Sequence, residues 1–167
     1  NRILREEKGY TYGARTGFRG SKIPGTFRAS SSVRTNTTGE SVAIFRDEIN
    51  KYKQGISQED LDFTKNALIK SNARRFETQF ALLGMLQEMS IYGLDQDYIA
   101  AEEATVRNMT LDAHKALANK YLDTSKMAYL VVGDAQSQYT QFRDMGFDEV
   151  LLLDKEGEEV KLENVKQ

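Results

Sequence analysis

The pattern of apolar and polar residues predicts that the chain opens on a helical turn followed by two strands. Residues 1–7 (NRILREE) are typical of the last turns of a helix, and Gly9 stands where helices commonly end. Residues 10–18 (YTYGARTGF) and 26–34 (TFRASSSVR) are rich in aromatic and β-favouring residues, so each predicts a strand. Because residues 20–25 form a short connection with glycine and the only proline, we expect an antiparallel pair.

Helical periodicity dominates the middle of the chain and predicts five helices. The first opens at residues 37–40, presents one broad apolar face and ends at Gly55. Residues 57–60 (SQED) form a capping-box signature, so a second helix begins there and runs to about Phe76. The other three are predicted over residues 78–92, over residues 97–106, and in a segment that starts at Thr110 and includes Leu122.

Strand signals return in the last third of the chain. Residues 126–132 (KMAYLVV) are continuously apolar, which is typical of a strand covered on both faces. We predict a short helix over residues 137–146, a last strand over 149–153, and a charged tail over 154–167 that holds a turn or a short edge strand. Since strands and helices are segregated along the chain, we expect an α+β fold with helices packed on one face of a mainly antiparallel sheet.

The composition excludes several kinds of catalytic site on this chain. The 167 residues include one histidine and no cysteine, whereas a zinc site needs three or four nitrogen, oxygen or sulfur ligands. His114 lies on the inner face of a predicted helix and is interpreted as a core or half-buried residue. No glycine-rich phosphate loop and no G-x-S-x-G elbow is present. The formal net charge of -2 gives no electrostatic case for a nucleic-acid partner.

One segment, residues 4–13 (LREEKGYTYG), combines a helix end, a glycine turn and a strand start. Arg5 lies on the last helical turn and Tyr12 near the start of the strand, so both side chains can approach one point at the junction. A guanidinium and a phenol together can hold a peptide backbone or a developing oxyanion. The alternative is a salt-bridged arginine beside two aromatic core residues.

The same segment resembles the helix-to-strand junction in the second, non-catalytic domain of the pitrilysin/insulinase zinc metallopeptidases, which include the mitochondrial processing peptidases. The similarity continues through ISQEDLDFTKNALIKS and LLGMLQEMSIYGLDQDY to VRNMTLDAHKALANKYLDTSKMAYLVVGD, and so covers roughly residues 1–153. The resemblance implies a LuxS/MPP-like metallopeptidase domain, truncated at its N-terminus. Since no helix start precedes residue 1, we expect a fragment of a larger fold, with a trimmed or processed protein as the alternative.

The resemblance also implies which residues act on substrate. The family's zinc site, an inverted H-x-x-E-H helix with a distant glutamate, lies on another domain, so zinc belongs to the parent enzyme and none is expected on this chain. The family's arginine and tyrosine fall on Arg5 and Tyr12. Tyr12 would hydrogen-bond the scissile carbonyl oxygen as it becomes tetrahedral, and Arg5 would hold nearby substrate backbone. No role is carried over to Tyr10.

These implications give the expected organisation and partners. Residues 1–153 form part of a substrate-clamping domain of a zinc metalloendopeptidase, without activity of their own, and residues 154–167 form a charged tail. The partners are a peptide and an N-terminal zinc-bearing domain of the same or another chain. A homodimer is expected if an unpaired sheet edge is exposed. The alternatives are an inactive, peptide-binding partner subunit and a structural α+β module that shares only the fold.

Overall fold

The computed structural model describes residues 1–20, 22–147 and 149–161, and the fold over these ranges is α+β. Among these described residues, 1–19, Thr26–Ile49 and those from Thr124 onward form one compact unit, and those within Gly20–Gly25 and Asn50–Asp123 form a second. The main elements are strands β1 (Thr11–Arg19) and β2 (Thr26–Val33) and helices α1 (Thr38–Gln54), α2 (Gln58–Asn72), α3 (Gln79–Tyr92), α4 (Tyr98–Arg107), α5 (Leu111–Tyr121) and α6 (Ala135–Asp144).

The first unit begins with a wide helical turn over Arg2–Glu7, which has π-helical geometry. Its end is closed by backbone hydrogen bonds, from the amide of Lys8 to the carbonyl of Ile3 (2.9 Å) and from the amide of Tyr10 to the carbonyl of Leu4 (2.8 Å). Gly9 makes this closure possible with φ of 63°, a left-handed conformation that favours glycine. The chain therefore folds back on itself immediately before β1, and Leu4 is buried beneath the turn.

Strands β1 and β2 form the predicted antiparallel pair, with Ala14 opposite Ser31 and Arg19 opposite Thr26. The register shifts between Thr11 and Ala14, where β1 holds one residue more than β2 opposite it. At this irregularity a side chain makes hydrogen bonds in place of the backbone. The Thr11 hydroxyl accepts from the Gly13 amide (3.0 Å) and donates to the Ser32 carbonyl (2.7 Å). This irregularity is thus held by specific hydrogen bonds at the start of β1.

Glu40, in the first turn of α1, connects that helix to the turn before β1. Its carboxylate accepts from the Lys8 ammonium (2.8 Å) and from the Tyr10 hydroxyl (2.6 Å). The Arg34 guanidinium holds the same turn by donating to the Gly9 carbonyl (2.6 Å). Lys8, Gly9 and Tyr10 are consecutive, so two residues that follow β1 in the sequence, Arg34 and Glu40, fix the same three-residue turn.

Helix α6 packs beside the start of α1 within the first unit. The carboxylate of Asp134 caps α6 by accepting from the amides of Gln136 (3.2 Å) and Ser137 (3.3 Å). The amide group of Gln138, which is buried, donates to the Thr35 carbonyl (2.8 Å). The Thr35 carbonyl also accepts from the Thr38 amide, so this bond joins α6 to the 3₁₀ turn Thr35–Thr37 that leads into α1.

The helices of the second unit begin and end close to the predicted positions. The Ser57 hydroxyl accepts from the Asp60 amide (3.0 Å), which confirms the cap that the sequence predicts for α2. The Thr110 hydroxyl caps α5 in the same way (3.2 Å), and α3 ends at Gly93 in the left-handed conformation. Helix α2 ends at Asn72, and a 3₁₀ turn over Ala73–Phe76 continues it.

His114 lies half-buried on α5, where its Nε2 atom is 2.7 Å from the Tyr52 hydroxyl oxygen. The two rings meet edge to face, with centroids 4.9 Å apart. Burial raises the pKa of the Tyr52 phenol above its usual value, because the charged form loses hydration there. This contact agrees with the interpretation of His114 as a packed residue of the helical unit.

Two predicted strands are wrong. Residues 127–132 pair with no strand among the described residues, and residues 149–153 contribute a single bridge, from Leu153 to Glu159. The predicted cover on both faces is also wrong, since Leu130 and Val132 are exposed. An apolar run indicates only that a segment favours burial, whereas a strand also needs a neighbour that satisfies its backbone groups. The predicted turn at residues 154–157 is present, closed by a bond from the Gly157 amide to the Asp154 carbonyl (3.1 Å). Residues 162–167 of the tail lie outside the described residues.

Apolar residues are spread around most of helix α3 rather than confined to one face, yet none of its residues is buried. Phe80 is 87% exposed, and four of its leucine and isoleucine side chains are also exposed: Leu82, Leu83, Leu86 and Ile91. A helix with this composition is normally covered by other protein. Among the described helices, none is long and apolar enough to cross a lipid bilayer.

The cluster around Glu40 predicts how pH affects the turn. Hydrogen bonds from Lys8 and Tyr10 lower the pKa of the Glu40 carboxyl, and the same carboxylate raises the pKa of Lys8 and Tyr10. A carboxyl group whose pKa falls on folding stabilises the protein at pH values above its pKa in the unfolded chain, which is about 4.3. This stability is lost as pH falls through the pKa of the folded state. The stability that Lys8 and Tyr10 contribute is lost in alkaline solution, as pH rises through their raised pKa values.

We therefore expect Glu40→Gln to lower the urea midpoint at neutral pH, and the difference from the wild type to disappear in acid. Urea denaturation curves from about pH 2.5 to pH 9, a range on either side of the ordinary carboxyl pKa, measure the difference between the two midpoints. Glu158→Gln removes an exposed carboxylate elsewhere and serves as the control. A difference that persists unchanged in acid would contradict the assignment to the Glu40 carboxylate.

Candidate functional site

Arg5 occupies the exposed side of the wide turn, one residue after the buried Leu4. Its own backbone is held, because its amide donates to the Asn1 carbonyl (2.8 Å). Its guanidinium forms no ion pair within the described part of the chain, whereas Arg2 on the same turn pairs with Glu7 (3.2 Å). Arg5 therefore combines a fixed backbone with a guanidinium whose hydrogen-bond donors are available.

Tyr12 lies at the irregularity of β1, and its side chain is 99% exposed. Its phenol has no hydrogen-bond partner among the residues that the structure covers. The alternative interpretation, with two aromatic core residues, is therefore wrong for Tyr12, and Tyr10 is only partly covered and bonded to Glu40. An exposed tyrosine on a fixed strand presents its hydroxyl to whatever contacts this face.

The structure places Arg5 and Tyr12 on either side of the Gly9 turn, both exposed to solvent. No hydrogen bond joins them, so their convergence on one point of a ligand stays a prediction. What fixes their separation is the backbone between them, which is closed on Leu4 and held by Glu40 and Arg34.

Three residues that hold this junction were not anticipated from the sequence: Asn1, Arg34 and Glu40. The Asn1 side-chain oxygen accepts from the Ala14 amide (2.6 Å), which joins the first residue to β1 beyond the irregularity. Glu40 is separated from Tyr10 by 30 positions, so no local spacing reveals the contact. The one available signal, an acidic residue in the first turn of a helix, indicates only that it complements the helix dipole.

The chemistry available at the junction is hydrogen-bond donation. A guanidinium offers five donors in a planar fork, and a phenol offers one. In the part of the chain that is described, no group of three or more histidine, cysteine, aspartate or glutamate residues could hold a metal ion. The arrangement therefore suits binding of carbonyl or carboxylate oxygens and stabilisation of negative charge that develops on an oxygen.

Comparisons with known proteins agree with the resemblance drawn from the sequence. Residues 1–68, which contain the whole junction and both strands, match the family model of the peptidase M16 inactive domain. A search of curated proteins found no match.

A solved structure extends the match beyond these residues. The crystal structure of a peptidase M16 inactive domain from Pseudomonas fluorescens is similar over 73% of this chain, with 26% identity and a TM-score of 0.66. The chain spans 29% of the length of that protein chain. Together the two comparisons show that this chain is similar to part of a peptidase M16 inactive domain, in sequence over residues 1–68 and in fold over 73% of its length.

Proposed function

We propose that this domain binds an extended peptide and supplies transition-state contacts to a zinc site on another domain. The observation that supports the proposal is the combination at the junction of exposed side chains and a fixed backbone. Arg5 and Tyr12 are exposed, while the turn between them is held at Lys8, Gly9 and Tyr10. Binding groups held on a fixed backbone lose little conformational freedom when a ligand arrives.

The two side chains would act on different parts of the peptide. The Arg5 fork would donate to backbone carbonyl oxygens beside the scissile bond and so orient the peptide. The Tyr12 hydroxyl would donate to the scissile carbonyl oxygen, and this bond would strengthen as the oxygen gains negative charge in the transition state. Zinc on the other domain would supply the activated water, with a glutamate there as general base.

A peptide-binding partner subunit of the same fold is the second candidate, because exposed donors at a fixed junction serve binding as well as catalysis. The two candidates differ in where the zinc site is encoded. An H-x-x-E-H segment in the same open reading frame favours the peptidase. If that frame lacks the segment, a partner subunit or a half-enzyme that needs a second, zinc-bearing chain is favoured. Peptide binding without hydrolysis when that second chain is present favours the partner subunit.

Self-association of the isolated chain is a further part of the proposal. Leu130 and Val132 are 84% and 92% exposed in the segment that pairs with no described strand, while Tyr129 and Val131 are half-buried. The alternation gives the segment a strand-like character with one open apolar face. Unpaired backbone of this kind is a template for another chain.

We expect the isolated chain to form dimers at micromolar concentration, and Leu130→Lys to shift it toward the monomer because a charge opposes burial of that face. Sedimentation equilibrium measures the association constant. Leu151→Lys changes another exposed leucine and serves as the control. A wild-type chain that stays monomeric would contradict the proposal.

Tyr12→Phe is expected to lower kcat for peptide hydrolysis by about 10²–10³, the loss typical of one oxyanion donor, with little change in substrate binding. The measurement uses the product of the full open reading frame, with the zinc-bearing chain added if it is encoded separately. Tyr92→Phe removes a hydroxyl from an exposed tyrosine on α3 and should leave kcat unchanged. If Tyr12→Phe leaves kcat at the wild-type value, the role given to Tyr12 is wrong.

Arg5→Ala is expected to lower kcat/KM by about 10- to 100-fold, since a hydrogen bond to a charged group contributes about 1.5–3 kcal/mol. Arg5→Lys should recover only part of this loss, because an ammonium lacks the planar fork. Arg2→Ala, on the same turn, tests whether any arginine there has the same effect. Equal losses for both alanine variants would indicate damage to the turn rather than a lost substrate contact.

A further inference from the structure

The charges of the chain are distributed very unevenly around the hairpin of β1 and β2. Residues 8–39 contain six basic and no acidic side chains, although the whole chain has a formal net charge of -2. Two of the six have partners in the fold, since Lys8 bonds to Glu40 and Arg34 to the Gly9 carbonyl. The other four, Arg15, Arg19, Lys22 and Arg28, are exposed, and no carboxylate among the described residues pairs with them.

The register places three of these arginines on one face of the hairpin. Exposure alternates along β2, and Arg28 belongs to the exposed set. Arg15 is opposite Ser30 and Arg19 is opposite Thr26, both of which share the exposed face of β2 with Arg28. We call this surface, defined by Arg15, Arg19 and Arg28, the basic face.

The three arginines of the basic face occupy neighbouring positions on the two strands. Arg28 lies opposite Gly17, between Arg15 and Arg19, so it is a diagonal neighbour of both, and such neighbours are about 7–8 Å apart. Three like charges on neighbouring positions attract an anion that lies among them. Gly17 leaves open space above the strand, since a Cβ atom there would meet nothing within 4 Å. A ligand can therefore approach the backbone between the arginines.

We propose that the basic face binds the acidic side chains of the extended peptide, and so gives this domain a preference for peptides with several glutamate or aspartate residues. The inference rests on the proposed function, because β1 carries both Tyr12 and two of the arginines, Arg15 and Arg19. A peptide that runs along β1 from Tyr12 meets Arg15 three residues later. The basic face then selects among the peptides that the junction binds.

A peptide fits the basic face better than a nucleic acid does. Outside residues 8–39 the chain carries 17 basic and 25 acidic side chains, which would repel a long phosphate backbone. Tyr12 is the one aromatic side chain on β1 that is almost fully exposed, whereas single-stranded nucleic acids are bound by several stacking aromatics. A short acidic peptide needs only the local positive charge.

Binding of matched peptides tests the proposal. The probes are two fluorescein-labelled peptides of about a dozen residues, about the reach of a strand, that differ only in having glutamate or glutamine at alternate positions. Fluorescence anisotropy with the full open reading frame product gives both Kd values. We expect the glutamate peptide to bind about three- to tenfold more tightly at low salt, and this preference to fall as salt screens the charges.

The variant Arg15→Gln/Arg28→Gln should abolish the preference and leave the Kd of the glutamine peptide unchanged. The control Arg143→Gln/Lys155→Gln makes the same change in net charge at exposed, loosely paired positions and should retain the preference. Arg15→Lys/Arg28→Lys should also retain most of it, which separates lost charge from damage to the hairpin. Equal Kd values for the two peptides in the wild type, or an equal loss in the control, would overturn the proposal.

Two further measurements separate this inference from its alternatives. An oligothymidylate that binds more tightly than the glutamate peptide, and depends on Arg15 and Arg28, would overturn the assignment to peptide. The kcat of Tyr12→Phe tests the proposed function independently. An unchanged kcat together with a clear glutamate preference would reject the role of Tyr12 and support the basic face. A lowered kcat without a glutamate preference would support the role of Tyr12 and reject the basic face.

Discussion

The left-handed turn at Gly9 is the constraint on which the candidate site depends. With φ of 63°, Gly9 lets the chain close on Leu4 directly before β1, where another residue would cost about 1–2 kcal/mol. Arg34 and Glu40 then hold the turn from outside, through the Gly9 carbonyl and the Tyr10 hydroxyl. Because these contacts are satisfied within the protein, Arg5 and Tyr12 remain available on either side of a fixed backbone.

The two proposals assign different parts of a bound peptide to two surfaces of this part of the chain. The junction offers a few directional donors, which suit the backbone of a peptide and an oxygen that gains charge during reaction. The hairpin offers Arg15, Arg19 and Arg28 as positive charges on one exposed face, which suit side chains rather than backbone. On this account, one surface recognises what all peptides share and the other distinguishes between them.

Local signals in the sequence predicted much of the fold. The hairpin, the cap at Ser57 and the helix end at Gly93 depend on neighbouring residues, and the structure confirms them. The strand predicted over residues 126–132 was wrong because pairing depends on a partner strand that apolar periodicity does not identify. The contact between Glu40 and Tyr10 was missed for a similar reason, since it joins residues that no local spacing relates.

The position of bound peptide tests the central claim most directly. A photoreactive residue, p-benzoylphenylalanine, can replace Tyr12 in the full open reading frame product, with the zinc-bearing chain present and its general base removed. Mass spectrometry after irradiation identifies which peptide residues are crosslinked. The account predicts crosslinks from position 12 confined to the residues beside the scissile bond, well above those from the same group at Tyr92. Crosslinks no more frequent than at Tyr92, or spread evenly along the peptide, would contradict it.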